Sequence, residues 1–152
     1  EKIVDLLAQT HDYVIIDTPG TFNELIATTL EMASLILLIT SMDIASIKDT
    51  ALALEMLRAA SVPEEKVKLT INHSTAANSL REEDVERVLE YEVFWQVPYD
   101  LAVSSSTQLG QPVVLSKPYA RVSRSITELA HALTGTRPQK RGFLDRFLGK
   151  AV

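Results

Sequence analysis

The sequence has no cysteine among its 152 residues and only five glycines. Without thiols, neither a disulfide framework nor a thiolate metal site can form. The three histidines (His11, His73 and His131) lie far apart and show no metal-ligand spacing. The glycines provide no match to a phosphate loop of the form GxxxxGK followed by Ser or Thr. We therefore expect no structural zinc site and no complete phosphate loop within these residues.

Long apolar runs are also missing. The longest lies around residues 35–40, far below the roughly 20 residues that a membrane-spanning helix needs. The N-terminal residues do not pair a basic segment with an apolar one, as a secretion signal would. A composition of 46% hydrophobic and 23% charged residues is ordinary for a folded globular domain. These features predict a cytoplasmic protein.

Charge is distributed unevenly along the chain. The net charge is −5, but residues 137–152 contain five basic residues and one acid and carry +4, so residues 1–136 carry −9. An acidic body is a poor general surface for nucleic acid, whereas a short basic end suits an anionic membrane or an acidic partner. Nucleic acid is therefore an unlikely partner on charge grounds.

Short apolar segments alternate with amphipathic ones. Strands are predicted at residues 13–16, 35–40, 67–72 and 93–97, and helices at 2–9, 23–32, 45–60, 79–91, 101–109 and 119–133. This alternation predicts an α/β fold, a mostly parallel sheet with helices on both faces, over residues 1–133. Asn23 is the expected cap of the second helix and Ser79 of the fourth.

Polar side chains are predicted where the strands end. Asp17 follows the first strand and precedes Pro19 and Gly20; it is either a turn-capping acid or an acid that holds a metal-bound water. The Pro-Gly turn could point backbone N–H groups at a terminal phosphate. Asn72, after the third strand, is a turn cap or a donor and acceptor for an adenine edge. By themselves Asp43, Ser46 and Asp49 indicate only a solvated helix start.

The C-terminal end has its own pattern. Residues 134–140 form a polar linker, and residues 141–152 form a basic amphipathic tail. The tail could be a helix docked on the body, but its glycines and shortness favour a helix that folds at a membrane surface. Its apolar residues lie on one helical face, and the membrane-directed set is Arg141, Phe143, Leu144, Arg146, Phe147, Leu148 and Lys150.

Four stretches, residues 12–20, 37–49, 69–72 and 97–100, together resemble the MinD/ParA group of deviant P-loop ATPases, and most nearly its CpaE/TadZ pilus-assembly subgroup. The tail is similar to the membrane-targeting helix of MinD. The resemblance implies the C-terminal part of a P-loop NTPase fold of the SIMIBI class. The phosphate loop and the switch I aspartate of that family precede the position of Asp17 and are absent here.

The resemblance also implies roles for individual residues. Asp17 would assist Mg²⁺ through water, while Thr18, Pro19 and Gly20 would lie at the γ-phosphate. Asn72 and Pro98 would frame the adenine of ATP. Because ATP in this family is sandwiched in a homodimer, a further set would face the partner subunit: Asp43, Ser46 and Asp49. Met42 and Asp43 stand where the family has the Pro-Glu that contacts the ribose across the dimer, so the sequence departs from the family pattern at that contact.

Three functions remain open at this point. The first is an ATP-dependent, dimerising positioning ATPase, peripheral to the inner membrane and acting with pilus-assembly or division proteins. The second is a non-catalytic localisation adaptor of the same fold, and the third, least favoured because of the acidic body, is a DNA-segregating ATPase. Because phosphoryl transfer needs the missing loop, we expect no ATP hydrolysis by the 152 residues alone and assign no catalytic residue.

Overall fold

A computed structural model describes residues 2–73, 75 and 80–136 of the chain. In chain order the elements are α1 (Lys2–Thr10), α2 (Glu24–Met32), β1 (Ile36–Thr40), α3 (Ile44–Ala59), a short 3₁₀ turn (Glu64–Lys66), β2 (Val67–Asn72), α4 (Glu82–Leu89), β3 (Val93–Val97), α5 (Leu101–Gln108), α6 (Val113–Ser116) and α7 (Arg121–Thr134). Contacts between residues divide the chain into two compact units, Glu1–Gln96 and Val97–Val152.

The first unit is built on a mostly parallel sheet with strand order β1-β2-β3. β1 and β2 run parallel, with Ile36 opposite Val67 at one end and Thr40 opposite Ile71 at the other. Both strands were predicted at these positions because runs of Ile, Leu and Val favour extended backbone. The α/β fold class predicted from the sequence is confirmed.

One face of the sheet carries the core of this unit. Val67, Leu69 and Ile71 alternate along β2, point to the same side, and are at most 4% exposed. Helices α3 and α4 pack against this side. Their buried contributions are Ile47, Leu54, Leu57, Val85 and Leu89.

Polar caps begin the helices of this unit. The predicted cap of α2 is confirmed, since the Asn23 side chain accepts a hydrogen bond from the Ile26 N–H at 3.0 Å. Helix α4 begins at Glu82, later than predicted, and the Asp84 carboxylate accepts from the Arg81 backbone N–H at 3.2 Å. The expected cap, Ser79, lies outside the described residues.

The strand predicted at residues 13–16 is a wrong prediction. These residues form no strand, and Ile15 is 94% exposed. A strand exists only where its N–H and C=O groups pair with a neighbour, and no described segment pairs with this one. Asp17 therefore follows an irregular exposed segment rather than a strand.

The second unit consists of α5, α6 and α7. Its buried side chains include Val122 and Leu129 on α7. Side-chain hydrogen bonds join the helices: Ser106 and Ser116 share a hydroxyl hydrogen bond of 2.7 Å, and the Ser123 hydroxyl donates to the Val113 carbonyl at 3.1 Å. The helix predicted at 119–133 is thus α7, whereas the short α6 was not predicted.

The linker and tail are described only at their start. Thr134 ends α7, and Gly135 follows in the left-handed conformation with φ 65°, as glycines after helices commonly do. Residues 137–152, with the whole predicted tail, lie outside the described residues. None of the helices in the described part of the chain has the length and apolar character required to cross a bilayer.

Two buried threonines provide a matched test of the core. The Thr70 hydroxyl on β2 has no hydrogen-bond partner among the described residues, whereas the Thr50 hydroxyl donates to the Ser46 carbonyl at 2.7 Å. Replacing an unpaired buried hydroxyl by a methyl group removes a desolvation cost. We expect Thr70→Val to raise the free energy of unfolding by about 1 kcal/mol and Thr50→Val to lower it by a similar amount.

Urea unfolding of the 152-residue chain measures both changes. Equal losses for Thr70→Val and Thr50→Val would contradict the unpaired state of the Thr70 hydroxyl.

Candidate functional site

The carboxyl ends of β1 and β2 lie at one edge of the sheet, because the two strands are parallel. Asn72 ends β2 and its side chain is exposed there. The next residue, His73, shares a hydrogen bond of 2.8 Å between its Nε2 and the Oε1 of Gln96 on β3. This bond ties the segment after β2 to the end of β3 and leaves the Asn72 amide accessible at the edge where open α/β sheets bind ligands.

The predicted phosphate-facing segment, residues 17–20, is exposed throughout. No hydrogen bond or ion pair links the Asp17 carboxylate to the described residues. A Cβ added at Gly20 would meet no atom within 4 Å, so space alone does not require glycine there. The segment therefore offers an exposed carboxylate that no described residue engages.

The exposed Asp17 carboxylate suits the role that the resemblance implies, that of holding a Mg²⁺-bound water. No group of three or more His, Asp or Glu side chains in the described ranges could enclose a metal ion. Mg²⁺ commonly keeps several waters and binds one or two carboxylates together with nucleotide phosphates. A lone accessible carboxylate is able to contact such an ion through one of these waters, and the direct ligands would come from water and phosphate.

The expected dimer-facing residues lie at the start of α3. The Asp43 carboxylate accepts from the Ser46 N–H at 2.9 Å and from the Ser46 hydroxyl at 2.7 Å. These two hydrogen bonds lower the pKa of Asp43 below its ordinary value. The structure thus brings Asp43 and Ser46 together as a helix cap, while Asp49 is exposed on the next turn of α3.

Pro98, the second residue expected at the adenine, belongs to the second unit. It is half-buried and lines a cavity of about 260 Å³ together with four residues of α7: Arg121, Arg124, Ser125 and Glu128. Sequence analysis did not identify this cavity, because the two arginines follow Pro98 by more than 20 residues.

Asp100 connects two helices of the second unit. One carboxylate oxygen accepts from the Ala102 N–H of α5 at 2.9 Å, and the other accepts from the Val122 N–H of α7 at 3.5 Å. The Ala102 N–H, followed by those at the start of α7, lowers the pKa of Asp100. An Asp before a helix is a recognisable cap for α5, but no local signal indicates the second contact with α7.

A second cavity, of about 370 Å³, lies in the first unit near the amino end of β2 and is lined in part by Tyr91. The Tyr91 hydroxyl donates to the carbonyls of Glu64 and Val67 at 2.8 and 3.2 Å. Burial, followed by the nearby Glu64, raises the pKa of Tyr91. Because these bonds engage the hydroxyl in support of the strand, we assign this cavity no role in nucleotide binding.

The fold is that of the MinD/ParA-type P-loop NTPases. The chain matches a ParA family ATPase from Chlorobium tepidum with a TM-score of 0.78 and 19% identity, covering 84% of this chain and 54% of that protein. It matches MinD in the MinC:MinD cell division complex of Aquifex aeolicus with a TM-score of 0.75 and 22% identity, covering 92% and 60% of the two chains.

Sequence comparison finds distant relatives among curated proteins. The chain is 26% identical over 142 residues to the septum site-determining protein MinD of Thermotoga maritima, covering 89% of this chain and 51% of that protein. It is 27% identical over 134 residues to an iron-sulfur cluster carrier protein of Deinococcus radiodurans, covering 82% and 38%. No known protein-family profile matches the chain.

The chain spans about half the length of the curated relatives that it matches. The matched relatives include both a cell division protein and an iron-sulfur cluster carrier, so similarity alone does not select the CpaE/TadZ subgroup.

The double role of Asp100 predicts a pH-dependent loss of stability in the variant Asp100→Asn. Because the folded state lowers the pKa of Asp100 from 3.8, its stabilisation is present above that pH and is lost as the pH falls through the lower folded value. We expect Asp100→Asn to unfold at lower urea concentration than the wild type at pH 7, and the difference to shrink below pH 4.

Asp49→Asn is the control for this variant, because no hydrogen bond or ion pair joins Asp49 to the described residues. A difference between Asp100→Asn and the wild type that stays constant from pH 7 to pH 3 would contradict the proposed charge dependence.

Proposed function

We propose that this chain is the C-terminal part of an ATP-dependent positioning ATPase, and that the complete protein dimerises and binds the cytoplasmic face of the inner membrane. The observation that carries the proposal is the accessible carboxyl edge of a sheet with MinD/ParA-type topology. On this proposal, Asn72 and Pro98 contact the adenine of ATP, and residues 17–20 contact the terminal phosphates.

Exposed apolar side chains support the proposal that further protein completes the binding site. β1 pairs only with β2 among the described strands, and Ile39 on β1 is 59% exposed. Tyr13 and Ile15 are 62% and 94% exposed. Apolar surface of this extent is normally covered by other protein. We infer that the remainder of the complete protein covers it and supplies the phosphate loop.

Magnesium is the expected cofactor beside ATP. Asp17 would hold it through a bound water, and the ion would neutralise charge on the terminal phosphate. Within the segment Thr18, Pro19 and Gly20, the backbone N–H groups of Thr18 and Gly20 would donate to the same phosphate, whereas Pro19 has no N–H and shapes the turn.

The proposal also includes dimerisation and a cellular role. The start of α3, with Asp43 capped onto Ser46 and Asp49 exposed, is the surface we assign to the partner subunit. The order of the four motif stretches and the basic apolar tail favour positioning of a pilus-assembly system, as in CpaE/TadZ, or of a division site, as in MinD.

Asp17→Ala tests the nucleotide site in the complete protein. Because Asp17 would act on Mg²⁺ through water, we expect ATP hydrolysis to fall by about 10- to 100-fold, the usual effect of losing an outer-shell metal partner. The control is Asp12→Ala, which removes an equally exposed carboxylate from the same irregular segment.

Equal activities of Asp17→Ala, Asp12→Ala and the wild type would contradict the metal role of Asp17. A complete wild-type protein that binds ATP without hydrolysing it would instead favour the non-catalytic adaptor.

Phe143→Glu tests the membrane tail. Removing one large apolar side chain and adding a negative charge weakens both contributions to interfacial binding, so we expect ATP-dependent binding to anionic vesicles to fall to a weak residual level. Gln139→Glu adds the same charge in the linker and should bind nearly as the wild type does. Vesicle cosedimentation of the complete protein makes the measurement, and unchanged binding by Phe143→Glu would contradict the tail assignment.

A further inference from the structure

The second unit exposes large apolar and cationic side chains within ten residues of sequence. Leu115 on α6 is 76% exposed and Tyr119, in the turn before α7, is 79% exposed. Lys117 lies between them and is also exposed. With two exposed arginines of α7 these residues form the α6–α7 patch: Leu115, Lys117, Tyr119, Arg121 and Arg124.

The charge of this patch is of one sign. Residues 113–127 contain three basic residues and no Asp or Glu. None of the three cations forms a salt bridge with the described residues. Arg121 and Arg124 line the cavity of about 260 Å³ beside Pro98, whose single acid is Glu128. Arg121 lies near enough to Asp100 to contribute to the lowered pKa of that carboxyl, so Lys117 and Arg124 are the cations most available to an external anion.

Backbone and hydroxyl hydrogen bonds hold the patch in shape. The Lys117 N–H donates to the Val113 carbonyl at 2.8 Å, and the Ala120 N–H donates to the Lys117 carbonyl at 3.0 Å. The adjacent residues Val122 and Ser123 are buried, which fixes the start of α7 in the second unit. Leu115 and Tyr119 are thus presented outward by an ordered turn.

We propose that the α6–α7 patch is a second membrane contact, in which the cations bind phospholipid phosphates while Leu115 and Tyr119 enter the headgroup region. Lys and Arg near an anionic bilayer each strengthen binding, and Tyr is favoured at the membrane interface because its ring is apolar and its hydroxyl is polar. The proposal rests on the membrane association proposed above and adds a folded surface to the tail.

A bilayer fits this patch better than a nucleic acid does. A phosphate backbone would engage the cations but would leave the aliphatic Leu115 in water. The charge of the second unit suits an anionic bilayer, since residues 97–152 contain eight basic and three acidic residues. Residues 1–96, by contrast, contain seven basic and seventeen acidic residues.

Two double variants of the complete protein test the patch. Leu115→Ser with Tyr119→Ser removes its apolar side chains, and Lys117→Gln with Arg124→Gln removes two of its charges. Each is measured with vesicles of phosphatidylglycerol and phosphatidylcholine, both with the wild-type tail and together with Phe143→Glu. The control is Val88→Ser, which removes an apolar side chain that is 64% exposed on α4 of the first unit.

We expect each double variant to weaken vesicle binding about ten-fold with the tail intact, a size typical of losing one or two interfacial contacts. Combined with Phe143→Glu, each should remove the weak binding that Phe143→Glu alone retains. Val88→Ser should bind as the wild type does. Circular dichroism of each variant verifies that the fold is kept.

Three results would overturn the inference, and each is distinct. If both double variants bind vesicles as the wild type does, the patch is not a membrane contact, although the tail can still be one. If the wild-type protein binds no vesicles at all, the membrane association itself is wrong. If the double variants lose binding to duplex DNA while keeping vesicle binding, the patch is a nucleic-acid surface.

Discussion

The parallel pairing of β1 with β2 is the interaction on which the first unit depends. It sets Val67, Leu69 and Ile71 on one face, and this face is the surface on which α3 and α4 bury their own apolar residues. Because the same pairing aligns the carboxyl ends of the two strands, it also creates the edge where Asn72 is accessible. Core and candidate site are thus two consequences of a single strand register.

Backbone pairing also explains which segments of the described chain lack a partner strand. Residues 13–16 have the composition of a strand, yet they remain irregular and expose Ile15, because no described strand pairs with them. One edge of β1 likewise lacks a partner among the described strands. Asp17 follows this irregular segment and is exposed.

The second unit is organised differently, by polar contacts more than by a large apolar core. Asp100 accepts from the first turns of both α5 and α7, and serine hydroxyls join α5 to α6 and α6 to α7. These bonds leave the large side chains of α6 and the following turn at the surface. The first unit, which carries the candidate site, is acidic, and the second unit, which carries the α6–α7 patch, is basic, so the two units suit different ligands.

The sequence by itself determined β1, β2, β3 and most helices, together with the Asn23 cap, because alternation of apolar residues and capping depend on neighbours only a few positions away. The MinD/ParA-type fold was also predictable, since the order of the short motifs can be read from the sequence without knowledge of contacts. Tertiary structure alone decided that residues 13–16 form no strand, that Asp100 reaches Val122, and that Arg121 and Arg124 share a cavity with Pro98. Each of these features depends on groups that are distant in sequence. Packing and strand pairing bring such groups together, and no local sequence pattern indicates their contact.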